Sequence, residues 1–263
     1  MVKFDHFSTG TEFLPPWSNF VRGDASLAVV DSCLRFNNHQ TSSNQYSNAQ
    51  LDDYQTFQRA DFLWSPPLRL TVQARFSHST GVLHGTAGFG FWNDPFMMTD
   101  WRRPAPPRVI WFFYSSTPSN MKLDSNVSGH GWKAGTLDAL RWPFFALLPT
   151  ALIAIPLMNL SPFYRLCWPI AQQIINVSER ILPVEMTEWH TYHLEWGRKT
   201  AHFWVDDQLV LACNTPPRGP LGLVIWFDNQ YMVITPWGRF GWGLLDSPDE
   251  QWMEISQLAI EPQ

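Results

Sequence analysis

Residues 68–76, LRLTVQARF, alternate without a break: Leu68, Leu70, Val72, Ala74 and Phe76 face one way, and Arg69, Thr71, Gln73 and Arg75 the other. A period of two predicts a half-buried β-strand. LAVVDSCLRF (residues 27–36) divides into two short strands about a polar turn. AGFGFW (87–92) and VIWFFY (109–114) are two more, joined by the proline-rich DPFMMTDWRRPAPPR (94–108). HTYHLEW (190–196), TAHFWV (200–205) and QLVLAC (208–213), punctuated by GRK and DD, form a three-strand meander. LGLVIWF (221–227) is a buried strand and WMEISQLAI (252–260) a last one, while the polar HQTSSNQYSNAQ (39–50) is a loop. Many short strands with turn signals predict an all-β sandwich or jelly roll, one domain over residues 1–263.

One segment breaks the pattern. Between Arg141 and Arg165 there is no charge, and residues 142–164 are apolar enough to cross a bilayer. A single crossing would separate Ile110 from Trp226 by a membrane, whereas strands before and after the segment must pair in one sandwich. Pro143, Pro149 and Pro156 also cut the run into short pieces. Next, Phe163, Leu166, Cys167, Ile170, Ile174, Val177 and Ile181 recur at helical spacing behind Ser161-Pro162, an N-cap and first-turn signal. Pro169 implies a kink. The expectation is an apolar, mainly helical insertion at about 137–182. It either lids a groove or lays its outer face, residues 142–164, on a membrane.

The stretch TEWHTYHLEWGRKTAHFWVDDQLVL (187–211), followed by PRGPLGLVIWFDNQ and a C-terminal strand, resembles the late meander of concanavalin A-like lectin/glucanase domains, the laminarinase-type family-16 glycoside hydrolases among them. The likeness spans roughly residues 68–260. It implies two curved antiparallel sheets with a ligand groove on the concave one. Those hydrolases carry E-x-D-x-x-E on a strand of that sheet, where alternate residues aim their carboxylates into the groove at the ~5 Å separation a retaining glycosidase needs. The motif is absent here, and AGFGFW and VIWFFY hold no acid. The pairs in LDDY, VDDQ and SPDEQ fall in turns, so no catalytic residue carries over and family-16 hydrolysis is not expected.

Composition sharpens this. Charged residues are only 16% of the chain, while Trp numbers 15 and Phe 19, more aromatic surface than a core alone needs. A net charge of −5 and no basic run argue against nucleic acid. Cys33, Cys167 and Cys213 are too few and too scattered for a disulfide framework or zinc site. His190, His193 and His202 lie on adjacent strands without metal-ligand spacing, so no metal or cofactor is expected. MVKFDHFSTG lacks a secretory apolar core, which places the chain in the cytoplasm, at most peripheral to a membrane. GFG (88–90) leaves one strand face bare for a ligand or another backbone to approach.

Two carboxylates stand where strands end beside aromatics: Asp94 in FGFWNDPF and Asp228 in VIWFDNQY. Both stretches also suit turns. As candidate acid–base residues they are accompanied by candidate ligand contacts Trp92, Asn93, Trp111, Phe113, Trp226, Asn229 and Tyr231. An aromatic groove under an apolar lid suits a hydrophobic or amphipathic small molecule of isoprenoid, polyketide or lipid type. Any catalysis there is of cyclase or isomerase kind, with Trp faces stabilising positive charge. The alternatives are a non-catalytic carbohydrate- or glycolipid-binding module on a degenerate glucanase fold, and a membrane-peripheral scaffold.

Overall fold

The computed structural model describes residues 2–4, 7, 13–95, 102–124, 126–140 and 142–263. Part of the proline-rich 94–108 loop therefore lies outside the described residues. The strands are β1 (Val2–Phe4), β2 (Ser18–Arg22), β3 (Ala25–Val30), β4 (Cys33–Asn38), β5 (Asn48–Asp52), β6 (Leu68–Phe76), β7 (Thr86–Trp92), β8 (Arg108–Ser115) and β9 (Gly131–Asp138). After helices α1 (Trp142–Leu157) and α2 (Ser161–Ile174) come β10 (Ser178–Ile181), β11 (His190–Trp196), β12 (Ala201–Val205), β13 (Gln208–Cys213), β14 (Gly222–Asp228), β15 (Gln230–Ile234), β16 (Phe240–Leu244) and β17 (Gln251–Pro262).

Two antiparallel sheets stack face to face. One runs β13-β12-β11-β6-β17-β4-β3, with β1 added on β17, and the other β10-β9-β8-β7-β14-β5-β2; β15 and β16 form a separate hairpin. The strand of strictest alternation, β6, sits mid-sheet with its apolar residues buried and its polar ones half-buried. The expected meander is present as β11–β13, antiparallel throughout, with a register shift between Phe203 and Trp204 in the β12–β13 pair. Between the sheets lies the main core, where the inward residues Phe89, Phe91, Phe112 and Trp132 of the seven-stranded sheet meet Tyr192, Trp196 and Phe203 of the other. Their ring contacts are mostly edge-on or tilted: Phe112 stands 5.1 Å from Tyr192 and 5.3 Å from Phe203, both T-shaped.

The helical insertion leaves and re-enters at one edge of the seven-stranded sheet. β9 and β10 flank it and pair with each other, Thr136 opposite Ser178 and Lys133 opposite Ile181. The insertion is thus narrower than residues 137–182, because its expected ends are strand. Ile181 lies in β10, not on a helix face. The prolines do not cut the apolar run; α1 continues through Pro149 to Pro156. No helix among the described residues is long and apolar enough to cross a membrane.

Candidate functional site

Alternation puts every second residue of the seven-stranded sheet on its outer face. Across β8, β7, β14 and β5, cross-strand register aligns Trp111 with Gly90 and Val224, and Phe113 with Gly88, Trp226 and Gln50. One row further, Ser115, Thr86, Asp228 and Asn48 align. This outer face is a second aromatic layer. Trp92 and Trp226 are near-parallel at 6.4 Å, Trp111 and Phe113 stack at 5.1 Å, and Phe113 stacks on Trp226 at 5.8 Å. The glycines make room for it. A Cβ on Gly88 would stand 2.8 Å from the Trp226 ring, and one on Gly90 would stand 2.6 Å from Cβ of Trp111. The bare strand face expected at GFG is approached by the β8 backbone, whose Phe112 and Ile110 carbonyl oxygens stand 2.3 and 2.5 Å from those Cβ positions, and by tryptophan side chains.

Above this floor the helices form a roof, and between them is a cavity of about 630 Å³. Trp92, Val109, Trp111, Phe113, Leu137 and Trp226 line it from below, and Ala154, Ile155, Met158, Cys167, Trp168, Ala171 and Ile175 from above. Met121 and Leu123 on one loop and Met232 and Ile234 on β15 complete the walls. Such a volume and lining lie in the range of small-molecule sites. The polar wall residues are few: Gln50, Thr86, Asp228, Gln230, Thr150 and Thr235.

Specific contacts seat the roof. The Trp168 indole N–H donates to the Leu123 carbonyl (2.9 Å), and the Gln172 amide to Asp124 (3.0 Å). Asn159 Nδ2 donates to the Trp237 carbonyl (3.1 Å), and the Tyr164 ring meets Trp237 edge-on at 5.2 Å. The helix face expected to pack does so only in part: Cys167 and Ile170 line the cavity and Val177 is buried, whereas Phe163 and Leu166 are exposed, and Trp168 and Ala171, outside the expected stripe, also face the cavity. α2 has more apolar residues than its buried stripe can hold, so helical spacing alone could not tell which stripe faces inward.

The two candidate acids part company. Asp228, on β14, faces the cavity. Its Oδ1 accepts the Thr86 hydroxyl (2.7 Å) and the backbone N–H groups of Gln230 (3.1 Å) and Thr86 (3.3 Å). The Trp226 indole N–H donates in turn to the Thr86 hydroxyl (2.9 Å). Burial pushes the Asp228 carboxyl up to about 6, held back chiefly by the Thr86 hydroxyl. Asp94 lies past the opposite end of β7, whose span from Thr86, opposite Asp228, to Trp92 is already roughly 20 Å at ~3.3 Å per strand residue. It adopts φ 47°, accepts Arg102 Nη1 at 2.9 Å, and is absent from the cavity wall. Arg102 also donates to the carbonyls of Tyr54, Gln55 and Phe57, so this pair pins two loops together.

Of the other candidates, Trp92, Trp111, Phe113 and Trp226 line the cavity and Asn93, Asn229 and Tyr231 do not. Asn93 clamps the proline-rich loop, accepting the Arg108 N–H (2.9 Å) and donating to the Pro106 carbonyl (3.0 Å). Asn229 accepts from the Ser47 N–H and donates to the carbonyls of Ser42, Gln45 and Leu245. Tyr231 alternates with Gln230 and Met232, so it faces away from the cavity and covers Gly243. The sequence did not point to Gln50 and Gln230. Gln50 lay in the polar 39–50 stretch expected to be a loop, whose end is strand β5.

The outer face carries acids other than Asp228, but not as a catalytic pair. Asp52 lies four residues along β5 from the position opposite Asp228, about 13 Å at strand rise, against the ~5 Å of a retaining pair. Burial raises its carboxyl, and it accepts from the Gln50 and Gln55 amides. Glu179 is bound to the buried Lys133 ammonium at 3.2 Å. Among the described residues no cluster of His, Cys, Asp and Glu could hold a metal. His190 bonds Asp206 and the Glu185 carbonyl, and His193 bonds the Thr71 hydroxyl.

No known family model matches the sequence, and no curated protein does. Solved structures do match in fold. The catalytic domain of an endo-1,3-β-glucanase (laminarinase) from Thermotoga petrophila superposes with TM-score 0.52 at 11% identity, over 99% of this chain and 96% of that one. A laminarinase from Flavobacterium sp. UMI-01 gives 0.52 at 12%, over 99% of both chains. An immunostimulatory antigen and pseudo β-1,3-glucanase of Mycobacterium tuberculosis gives 0.54 at 8%, over 100% and 98%. The chain therefore has the concanavalin A-like jelly-roll fold of the β-glucanases.

Proposed function

We propose that this glucanase-fold chain binds a hydrophobic or amphipathic small molecule on the outer face of its seven-stranded sheet and does not hydrolyse glycans by a carboxylate pair. One observation carries the proposal: the floor that is a groove in the resemblance is here the base of a roofed, mainly apolar cavity. The polar groups gather on the Asp228 side, with Thr86, Gln50 and Gln230, so the ligand has an apolar body and a polar end bearing a carbonyl or hydroxyl. Chemistry of cyclisation or isomerisation type falls to Asp228, whose raised carboxyl can exchange a proton near neutral pH while tryptophan faces flank the bound molecule. Asp94, tied to Arg102, takes no part.

The test is organic extraction of the purified chain followed by mass spectrometry, beside the cavity-filling variant Ala171→Trp. Co-purified apolar ligand is expected in the parent and its loss in the variant. Extracts alike and empty from both contradict the proposal.

A second reading, a non-catalytic carbohydrate- or glycolipid-binding module, is favoured by the glucanase-like fold and by indole faces that suit sugar stacking. It predicts glycan-array binding that weakens on Trp111→Ala and is indifferent to Ala171→Trp.

A further inference from the structure

The helical insertion has a second apolar side, turned away from the cavity. Leu152 is 85% exposed and Ile153 69%, and Leu160 and Leu166 are more than half exposed. On the β15–β16 hairpin Phe240 (71%) and Trp242 (63%) are exposed as well, opposite Ile234 and Met232 and so beside the cavity wall rather than behind it. The two elements abut: Asn159 bonds the Trp237 carbonyl, and a Cβ on Gly238 would stand 2.4 Å from Ile155. Water-exposed apolar surface gathered in this way marks a docking face.

Charge indicates the occupant. Between Asp138 and Glu179 the charged residues are Arg141 and Arg165, and between Asp228 and Asp246 there is only Arg239. Arg165 and Arg239 are exposed. Within these two segments the charge is thus of a single sign, with Asp124 meeting α2 at Gln172, although the chain as a whole carries −5. A second copy docking by a two-fold axis would set this cationic patch against itself, with no acid of either segment to answer it. An anionic lipid surface answers both the charge and the apolar residues. α1, 16 residues long, spans about 24 Å at 1.5 Å per residue, short of a bilayer core, so it lies in the interface rather than across it. We infer that the outer face of α1 and α2, with the hairpin tip, docks on an anionic membrane surface. This stands independently of what the cavity holds.

Flotation of the full chain with vesicles of phosphatidylcholine, alone or mixed with phosphatidylserine, tests it. Binding to the mixed vesicles is expected. Arg165→Gln with Arg239→Gln should weaken it by about fivefold per arginine, the equivalent of ~1 kcal/mol each near an anionic surface. Leu152→Asp with Ile153→Asp should abolish it; both positions are solvent-exposed, and unchanged circular dichroism confirms that the fold survives. Three results each overturn the inference: no flotation of the parent chain, flotation indifferent to both double substitutions, or a parent dimer that Leu152→Asp with Ile153→Asp converts to monomer.

Discussion

The two faces of the seven-stranded sheet are built from the same strands and are both aromatic, yet they meet different surroundings. Inward, Phe89, Phe91, Phe112 and Trp132 are buried against rings of the facing sheet, in edge-on or tilted contacts. Outward, Trp92, Trp111, Phe113 and Trp226 stack or tilt against one another, and the roof stands off them across about 630 Å³. Aromatic content alone does not make a binding floor. The difference lies in what each layer meets: a complementary sheet on one side, a helical insertion on the other.

Substitution should separate the faces. Phe112→Ala, in the sealed layer, should cost about 3–5 kcal/mol in denaturant unfolding. Trp111→Ala, half-buried one residue away, should cost about 1 kcal/mol while removing most ligand retention. Equal losses of stability would erase the distinction.

The acids sharpen it by pH. Because the folded Asp228 carboxyl is raised, its contribution to stability is full below the unfolded value near 4 and is lost as pH climbs through about 6. Asp228→Asn keeps the Oδ1 acceptor and removes that loss. Relative to the parent it should gain up to about 3 kcal/mol between pH 3.5 and 7.5, at 1.36 kcal/mol per unit, as read from paired unfolding curves. Asp53, raised to about 7 by burial, imposes the same trend on both proteins and cancels.

A smaller effect is expected at the glycine seam. In Gly88→Ala the new methyl meets the Phe112 carbonyl oxygen at 2.3 Å and the Trp226 ring at 2.8 Å. The backbone contact cannot swing aside, so a loss of about 1–3 kcal/mol is expected. A changed near-ultraviolet dichroism should accompany it as the Trp226 indole tilts. An unchanged spectrum would mean that Trp226 does not rest on this glycine.

Much of the sandwich was legible because strands such as β6 and β11 have one buried and one half-buried face, which writes a period of two into the sequence. β9 was not, since GWKAGTLD is buried on both faces and mixes Gly, Lys and Thr; Lys133 sits there paired with Glu179 and bonded to the Ser128 and Met121 carbonyls. The aromatic half of the site was legible, and its polar half only at Asp228. Asp94 shares the parity of Trp92 and Thr86, but a left-handed backbone at Asp94 turns the chain out of the sheet. That turn depends on Arg102 and Arg59, neither of which a local pattern connects to it. The register that brings Gln50 beside Trp226 is likewise long-range.

The most direct measurement is quenching of tryptophan fluorescence by a spin-labelled fatty acid, titrated into the parent chain and into Ala171→Trp, with a β-1,3-linked oligosaccharide as the comparison ligand. A roofed apolar cavity predicts saturable one-to-one quenching in the parent, lost in the variant, and no response to the sugar. A saturable response to the oligosaccharide, with the fatty acid silent in both proteins, would contradict it.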